Sequence, residues 1–270
     1  MNNGLADYHI HTSLCNHAQG TMQAFVKSAL KAGLAQMGFS DHNPMRSGSG
    51  GRFRMREKDF EIYFESIELL KRKFPEIDIK LGIELDFIED EFDYLLEFVK
   101  KFDFDYIIGS VHYLRLNGNS DYKYLNEFTA LPSSIKYQMY FEQIKNAAAS
   151  GVFNIIGHFD LPKRFWGKLD NSEIEYAKDA LETIKKHNLC IEVNTSGYRI
   201  PGLGEPFPDE RLLVFVAELE VPVLLGSDSH HPAEIASYFG TAARLLKKIG
   251  ITYLASFTKK EIHLNSISDL

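Results

Sequence analysis

Seven of the ten histidines in this 270-residue chain lie within or just beyond short apolar segments, together with two carboxylates. They are His9, His11, His17, His42, His112, His158 and His230, with Glu84 and Asp228. One such histidine alone would usually be a core or surface residue satisfied by a backbone partner. Many imidazoles and carboxylates packed together are unfavourable unless cations satisfy them. The joint pattern therefore predicts a site for divalent metal ions.

The local spacing of these residues supports metal binding. His9 and His11 are two residues apart, so in a strand both side chains point the same way and can ligate one ion. Other candidate ligands stand in short polar motifs: SDH at 40–42, GIE at 82–84, GSVH at 109–112 and GSDSHHP at 226–232. Imidazole and carboxylate ligands without thiolates suit zinc, manganese or iron, and the sequence does not choose among the three.

Alternating strands and helices are predicted to position this site. Seven apolar segments predict strands at 5–10, 36–39, 79–85, 106–111, 154–157, 190–193 and 221–225. Helical spacing predicts helices at 22–32, 58–73, 91–101, 134–149, 172–186, 209–218 and 233–249. This order favours an α/β fold in which seven parallel strands close into a (β/α)7 barrel, as one domain over residues 1–270. The carboxyl ends of the strands then open on one face, where the histidines converge.

Composition excludes several classes of protein. The chain is 44% hydrophobic and 25% charged, as in globular proteins, and its net charge of -7 disfavours a nucleic-acid polymer as partner. A small anionic substrate remains compatible with that charge. The two cysteines are too few for a disulfide framework, and neither a secretory signal pattern nor a membrane-length apolar run is found. We therefore expect a cytoplasmic protein with no membrane partner; its oligomeric state is left open.

The ordered motifs resemble those of the polymerase and histidinol-phosphatase (PHP) family, and they extend over residues 5–232. They are DYHIH, SDH, GIELDF, GSVHY, GHFD, EVNTSGYR and GSDSHHP. More narrowly, CNHA at 15–18 and NTSGYR at 194–199 are similar to the stand-alone histidinol-phosphate phosphatases of that family. The resemblance implies a distorted seven-stranded barrel resembling a TIM barrel, with three divalent metal ions at the carboxyl ends of its strands.

The resemblance also implies a ligand set for each ion. The first ion would take His9, His11, Glu84 and Asp228; the second Glu84, His112 and His158; the third His17, His42 and His230. Glu84 would then bridge two ions, which together activate a water for attack on phosphorus. Asp7 and Asp41 are candidate partners of the ligating histidines, although an ordinary turn or capping role explains Asp41 nearly as well.

Other residues are candidates for substrate binding and proton transfer. Arg164 and Arg199 match positions at which histidinol phosphatases of this family hold the substrate phosphate, and a guanidinium suits phosphate geometry. Asp160 is the candidate general acid for the leaving alkoxide, with His230 as the competing choice if its metal contact is loose. Ser196 is interpreted as a turn former rather than a nucleophile. The glycine-rich run 47–54 is either a lid, with Arg52 and Arg54 closing over the substrate, or a plain loop.

Three functions remain in competition. The first is metal-dependent hydrolysis of L-histidinol phosphate, as in histidine biosynthesis. The second is a phosphatase or phosphodiesterase that acts on nucleotides with the same three ions. The third is a metal-stabilised domain that binds a partner without catalysis, which the complete ligand set disfavours.

Overall fold

The structure, a computed structural model, describes residues 5–46, 53–116 and 121–267. Seven parallel strands form the central sheet in chain order: β1 (Ala6–Asp7), β2 (Gln36–Phe39), β3 (Asp78–Asp86), β4 (Tyr106–Ser110), β5 (Ile155–Ile156), β6 (Cys190–Asn194) and β7 (Val223–Gly226). The two sheet edges meet where Ile10 bridges Ser229 in parallel, and the Ser229 amide donates to the His9 carbonyl at 3.1 Å. The sheet is thus a nearly closed seven-stranded barrel, which confirms the predicted fold class.

Helices connect the strands, as the alternating pattern predicts. They are α1 (Met22–Lys31), α2 (Phe60–Lys73), α3 (Phe92–Val99), α4 (Ser133–Ala149), α5 (Lys163–Trp166), α6 (Asn171–Lys186), α7 (Glu210–Glu218) and α8 (Phe239–Lys248). Their local sequences explain them: α6, for example, is capped by Asp170, whose carboxylate accepts from the amides of Ser172 and Glu173, while the Glu173 carboxylate accepts from the Asp170 amide. Its buried face includes Ala177 and Leu181.

Two predicted elements differ from the structure. The helix expected from residue 233 begins only at Phe239, because Pro232–Glu234 forms a separate 3-10 turn and Tyr238 has a φ of 61°. The strand expected over 5–10 is a ladder only at Ala6–Asp7, since the chain beyond it turns to place histidine side chains and rejoins the sheet through one bridge. The remaining predicted helices agree with the structure within two residues at each end.

A tyrosine fills the interior of the barrel below the histidines. The Tyr106 hydroxyl donates to the carbonyl of Tyr8 at 2.6 Å, and both side chains are fully buried. Gly38 and Gly82 make room for it, because a Cβ atom at either position would lie 2.2 Å from an atom of the Tyr106 ring or hydroxyl. The glycines therefore allow a packed interior, which supports the residues at the carboxyl ends of the strands.

A carboxyl-terminal hairpin, which was not predicted, covers the opposite end of the barrel. It pairs β8 (Tyr253–Thr258) with β9 (Glu261–Ser266), and Phe257 of β8 packs with Tyr8 and Tyr106. Its two turn residues, Lys259 and Lys260, have φ values of 49° and 66°. Asn-Gly usually supplies that conformation, so the turn lacked its usual sequence signal. In the described ranges no helix is both long and apolar enough to cross a membrane.

Candidate metal centre and substrate cavity

The predicted ligands converge at the carboxyl ends of the barrel strands, around a cavity of about 1040 Å³. His9 and His11 are fully buried. The other seven predicted ligands line the cavity: His17, His42, Glu84, His112, His158, Asp228 and His230. Residues separated by up to 221 positions in sequence are therefore brought together, as parallel barrel strands require.

In both His9 and His11, Nδ1 contacts a supporting carboxylate and Nε2 faces the centre of the cluster. The Nδ1 atom of His9 lies 2.6 Å from Oε1 of Glu192, and Nδ1 of His11 lies 3.4 Å from Oδ1 of Asp41. Since a carboxylate accepts, these contacts place the ring hydrogen on Nδ1 of a neutral histidine and leave Nε2 with a lone pair. Both Nε2 atoms point toward Glu84 and Asp228.

Most of the distances between these inward nitrogens and oxygens match those around a tetrahedral ion. Oε2 of Glu84 lies 3.4 Å from Nε2 of His9 and 3.5 Å from Nε2 of His11. Oδ1 of Asp228 lies 3.9 and 3.3 Å from the same two nitrogens. Ligands about 2.0–2.1 Å from a tetrahedral metal stand about 3.3–3.4 Å apart. The two Glu84 distances and the His11–Asp228 distance match that spacing, whereas the His9–Asp228 distance of 3.9 Å is longer.

The second oxygen of Glu84 faces a different pair of histidines. Oε1 lies 3.0 Å from Nε2 of His158 and 3.8 Å from Nε2 of His112. Nδ1 of His112 in turn contacts Oδ1 of Asp86 at 2.7 Å. Oε2 of Glu84 also lies 2.9 Å from Nδ1 of His42. The two oxygens of one carboxylate are thus directed at separate sets of histidines, which is the arrangement that a bridging ligand needs.

A third group of imidazoles lies at the mouth of the cavity. Nδ1 of His17 donates to the carbonyl of Cys15 at 3.0 Å, and Nδ1 of His230 donates to the carbonyl of Asp228 at 3.1 Å. Both neutral rings therefore present an Nε2 lone pair, yet these two atoms lie 2.7 Å apart. Two lone pairs at that distance repel unless a proton or a cation lies between them. His42 completes this group.

The ionised carboxylates of the cluster also require compensating positive charge. Although burial lowers it, the carboxylates of Glu192 and Glu84 raise the pKa of His9 well above its ordinary value. Conversely, His42 and His9 outweigh burial and hold the pKa of Glu84 well below its usual range. The carboxylates therefore remain ionised, and protons or metal ions must compensate their charge.

Several buried atoms of the cluster have no hydrogen-bond partner among the described residues. They are Nε2 of His9, Nε2 of His11, Nδ1 of His42, Oε2 of Glu84 and Nδ1 of His158. Buried polar atoms rarely remain unpaired, and all but the last lie in short contacts with Glu84 or Asp228, or, for Oε2 of Glu84, with the histidines; Nδ1 of His42 is 2.9 Å from Oε2 of Glu84. The donor set thus fits divalent cations held by imidazole and carboxylate, in groups that share Glu84.

Two supporting carboxylates were missed in the sequence. Glu192 accepts from the His9 ring and, through Oε2, from the amide of His158 at 2.7 Å. Asp86 contacts His112 and forms a buried ion pair with Arg54, whose guanidinium also reaches the side chain of Asn43. An acidic residue inside an otherwise apolar strand segment is the signal that would have found both. These contacts fix the rotation of the ligating rings.

The other predicted support residues have different partners. Asp41 contacts the His11 ring and accepts from the Thr12 amide at 3.1 Å. Asp7 instead accepts from the amide and hydroxyl of Ser227, so it joins β1 to the end of β7. Ser196 donates to the side chain of Asn194 at 2.5 Å within a 3-10 turn, in agreement with a turn-forming role.

The two predicted phosphate-binding arginines occupy different surroundings. Arg164 is exposed and lines the cavity. Arg199 is not among the lining residues: its guanidinium donates to the carbonyls of Ser227 and Asp228 at 2.8 and 2.9 Å and to the Ser237 hydroxyl. In this structure Arg199 therefore holds the loop that carries Asp228 through these hydrogen bonds. Phosphate binding by Arg199 stays a prediction.

The two candidate general acids also differ in position. His230 lines the cavity. Asp160 is fully buried outside the cavity lining, where it accepts from Lys163 Nζ at 2.9 Å and from the Asp209 amide at 3.0 Å. Burial raises the pKa of Asp160 to about 6. Of the loop that was predicted as a lid, residues 47–52 lie outside the described ranges, and Arg54 is buried against Asp86 rather than extended over the cavity.

Comparison with known proteins identifies relatives along most of the chain. The model of the PHP domain matches residues 7–196. A protein of Deinococcus radiodurans named probable histidinol-phosphatase is 36% identical over 92% of this chain and 94% of its own length. The histidinol-phosphatase of Bacillus subtilis is 26% identical over 85% of this chain and 94% of its own length.

Solved structures share the fold. Histidinol phosphate phosphatase from Lactococcus lactis, complexed with zinc, L-histidinol and phosphate, superposes with a TM-score of 0.78 at 22% identity, over 96% of this chain and 99% of that one. A protein from Listeria monocytogenes described as a putative histidinol phosphatase gives a TM-score of 0.79 at 22% identity, over 87% of this chain and 99% of that one. At this level of identity the structures establish the barrel and its topology.

Proposed function

This chain belongs to the PHP domain family, and from that premise we propose that it is a histidinol-phosphatase. It would hydrolyse L-histidinol phosphate to L-histidinol and phosphate, a reaction of histidine biosynthesis, as a single domain over residues 1–270. The observation that carries the proposal is Glu84, whose two oxygens face separate groups of inward histidine nitrogens beside a solvent-open cavity. The 36% identity to a protein with that name supports the choice of substrate.

Three groups of side chains would hold three divalent ions in this proposal. The first comprises His9, His11, Glu84 and Asp228; the second Glu84, His112 and His158; the third His17, His42 and His230. His42 also lies within ligand distance of Glu84 and His112, so it stands between the second and third groups. Zinc, manganese and iron all suit these ligands. Bound ions would supply Lewis acidity, lowering the pKa of a water for attack on phosphorus and neutralising phosphate oxygens.

The protein residues perform the remaining work. Glu84 positions both sides of the centre, and its negative charge is maintained because neighbouring imidazoles lower its pKa despite burial. Arg164 supplies a cation at the cavity wall for the phosphate, since a guanidinium donates two parallel hydrogen bonds to phosphate oxygens. Either Asp160, or His230 when its contact with the third ion is loose, protonates the leaving alkoxide; His230 has direct access to the cavity.

The test compares substrates on purified protein whose metal content has been measured. L-Histidinol phosphate, nucleoside monophosphates and a phosphodiester are each supplied, and released phosphate or alcohol is followed. The proposal expects a marked preference for L-histidinol phosphate. A preference for a nucleotide or the diester would overturn it in favour of another phosphoesterase activity.

An Asp228→Asn variant separates catalysis from metal-assisted folding. Asn keeps the shape of the side chain but removes the charge that faces His9 and His11. A catalytic centre should lose turnover by at least about a hundredfold while the folded state persists. Full activity in this variant would contradict the assignment of the site.

A further inference from the structure

One acidic residue of the cavity wall is not accounted for by metal binding. Three acids line the cavity within the described ranges: Glu84, Asp228 and Glu127. The first two face the histidine groups, whereas Glu127 lies apart from them, at the end of the 3-10 turn Leu125–Glu127. Its carboxylate therefore faces the cavity apart from the histidine groups.

The turn that carries Glu127 is firmly attached to the metal centre. Oε1 of Glu127 accepts from the Tyr124 amide at 2.8 Å, which leaves Oε2 with no protein partner in the described part of the chain. The Leu125 amide donates to the carbonyl of His112 at 3.0 Å, and the Trp166 indole donates to the carbonyl of Leu125 at 2.9 Å. Although its side chain is exposed, Glu127 is therefore held at a defined position relative to His112.

Aromatic rings form the wall beside this acid. The Tyr124 ring is parallel to that of His112, with centroids 6.2 Å apart, and meets Tyr113 edge-on at 5.5 Å. Both tyrosines line the cavity together with Glu127. A carboxylate beside aromatic faces is a setting for a cationic organic group, which gains an ion pair and contact with the rings.

We propose that Glu127 binds the ammonium group of the substrate and thereby selects amine-bearing phosphate esters. This inference rests on the proposed function and deepens it. Histidinol phosphate carries a phosphate, a primary amine and an imidazole; the amine remains protonated at neutral pH, whereas an imidazole with a pKa of about 6.5 is mostly neutral. The charged amine is thus the group that an anion distinguishes, and the neutral ring matches Tyr113 and Tyr124.

The charge pattern of the cavity agrees with this orientation. Of the two arginines that line it, Arg54 is paired with Asp86, while Arg164 is exposed at the wall and is available for the phosphate. Glu127 would repel phosphate, so a substrate carrying both charges is recognised in one orientation. Phosphate esters without an amine would lose one of the two contacts.

The test uses Glu127→Gln and two esters. Gln retains an oxygen acceptor for the Tyr124 amide, so the turn is preserved while the charge is lost. For L-histidinol phosphate, KM should rise about tenfold, equivalent to about 1.4 kcal/mol, with kcat within about twofold, because the lost contact joins two charged groups at an exposed position. For 3-(imidazol-4-yl)propyl phosphate, which lacks the amine, both constants should match those of the wild type. Inhibition by L-histidinol should weaken in parallel.

A matched control and the alternative outcomes separate this inference from the proposed function. Glu97→Gln removes an exposed acid of α3 that pairs with Lys100. This variant should leave KM and kcat unchanged for both esters. If Glu127→Gln affects both esters equally, or neither, the amine assignment is wrong although the enzyme remains a histidinol-phosphatase. If the wild type hydrolyses neither ester, the proposed function itself fails.

Discussion

Nδ1 of His9 lies 2.6 Å from Oε1 of Glu192, and neither side chain is accessible to solvent. Glu192 also accepts from the amide of His158, so one carboxylate fixes parts of two predicted ligand groups. Gly226 of β7 leaves room for this carboxylate, because a Cβ atom at position 226 would lie only 1.9 Å from the same Oε1. The ring orientation of His9 is therefore set by β6 and β7 as well as by β1.

Replacing Glu192 with Gln should weaken metal binding more than it weakens the fold. Gln occupies nearly the same volume, but it removes the charge that holds the His9 ring and raises its basicity. We expect metal affinity to fall about 10–100-fold, the usual effect of losing such a partner. Metal content after dialysis against graded chelator concentrations measures it. Glu175→Gln, on the exposed surface of α6, is the control; equal metal retention in both variants would contradict this role.

Metal removal should destabilise the protein, and the effect should increase with pH. Burial lowers the pKa values of His9 and His11, but neighbouring carboxylates outweigh it and raise them. The folded, metal-free protein therefore binds protons on these two rings more tightly than the unfolded chain does. Their stabilisation is fully present below the unfolded pKa of about 6.5 and is lost as pH rises through the folded values. Metal ions compete with the same protons and bind better at high pH.

Thermal unfolding at pH 6 and pH 8, with and without chelator, tests that linkage. The increase in Tm caused by metal should be larger at pH 8, since protons replace the cations less effectively there. The pKa of Glu84 is lowered, so its contribution changes only below the unfolded value of about 4. Burial lowers the pKa of His42 to about 4, so this histidine opposes the trend, but chiefly below the unfolded value of about 6.5. A metal-induced increase that is equal at both values, or larger at pH 6, would contradict the proton-for-metal exchange.

Much of this centre could be predicted because parallel strands impose it. Once seven strands are recognised, residues after each strand must share one end of the barrel, so His11, Glu84 and His158 converge without knowledge of any distance. The roles of Glu192 and Asp86 were less accessible. An acid within a strand shows its pairing only when the register is known, because one residue of slip reverses the face on which it lies.

Arginine positions were harder to predict for a related reason. Arg164 and Arg199 both follow strand ends, yet only Arg164 lines the cavity, whereas the donors of Arg199 go to backbone carbonyls. Loop conformation decides the direction of a long side chain, and the alternation of strands and helices carries no information about it. The hairpin was missed because Lys259 and Lys260 occupy turn positions that glycine or asparagine usually marks.

Substitutions at the two arginines should have different effects. Arg164→Ala should raise KM for the phosphate ester and weaken inhibition by inorganic phosphate, by about tenfold or more, with metal content unchanged. Arg199→Ala should reduce metal retention, because it releases the carbonyl of Asp228 and loosens the loop that holds the Asp228 carboxylate. Steady-state kinetics combined with metal analysis separates them. Normal metal content with a raised KM in Arg199→Ala would instead support direct phosphate binding.

The leaving group distinguishes the two candidate general acids. An alkyl phosphate releases a basic alkoxide that needs a proton, whereas 4-nitrophenyl phosphate releases a stable phenolate. If Asp160 is the acid, Asp160→Asn should lower kcat for L-histidinol phosphate about a hundredfold and leave the nitrophenyl ester nearly unchanged. An equal, small effect on both esters, with reduced Tm, would assign Asp160 to its buried contacts with Lys163 and the Asp209 amide.

Phe257→Ala should destabilise the barrel from the end opposite the metals. The Phe257 ring is 3% exposed and meets Tyr8 edge-on at a centroid distance of 6.4 Å, while its amide donates to the Tyr8 hydroxyl. Removing a buried phenylalanine side chain typically lowers the free energy of unfolding by about 3–5 kcal/mol. Leu264→Ala on β9 is the matched control, since that side chain is 59% exposed and should change stability by less than about 0.5 kcal/mol. Denaturant unfolding of the metal-replete protein provides the comparison. Equal losses in both variants would show that the hairpin does not stabilise the barrel through Phe257.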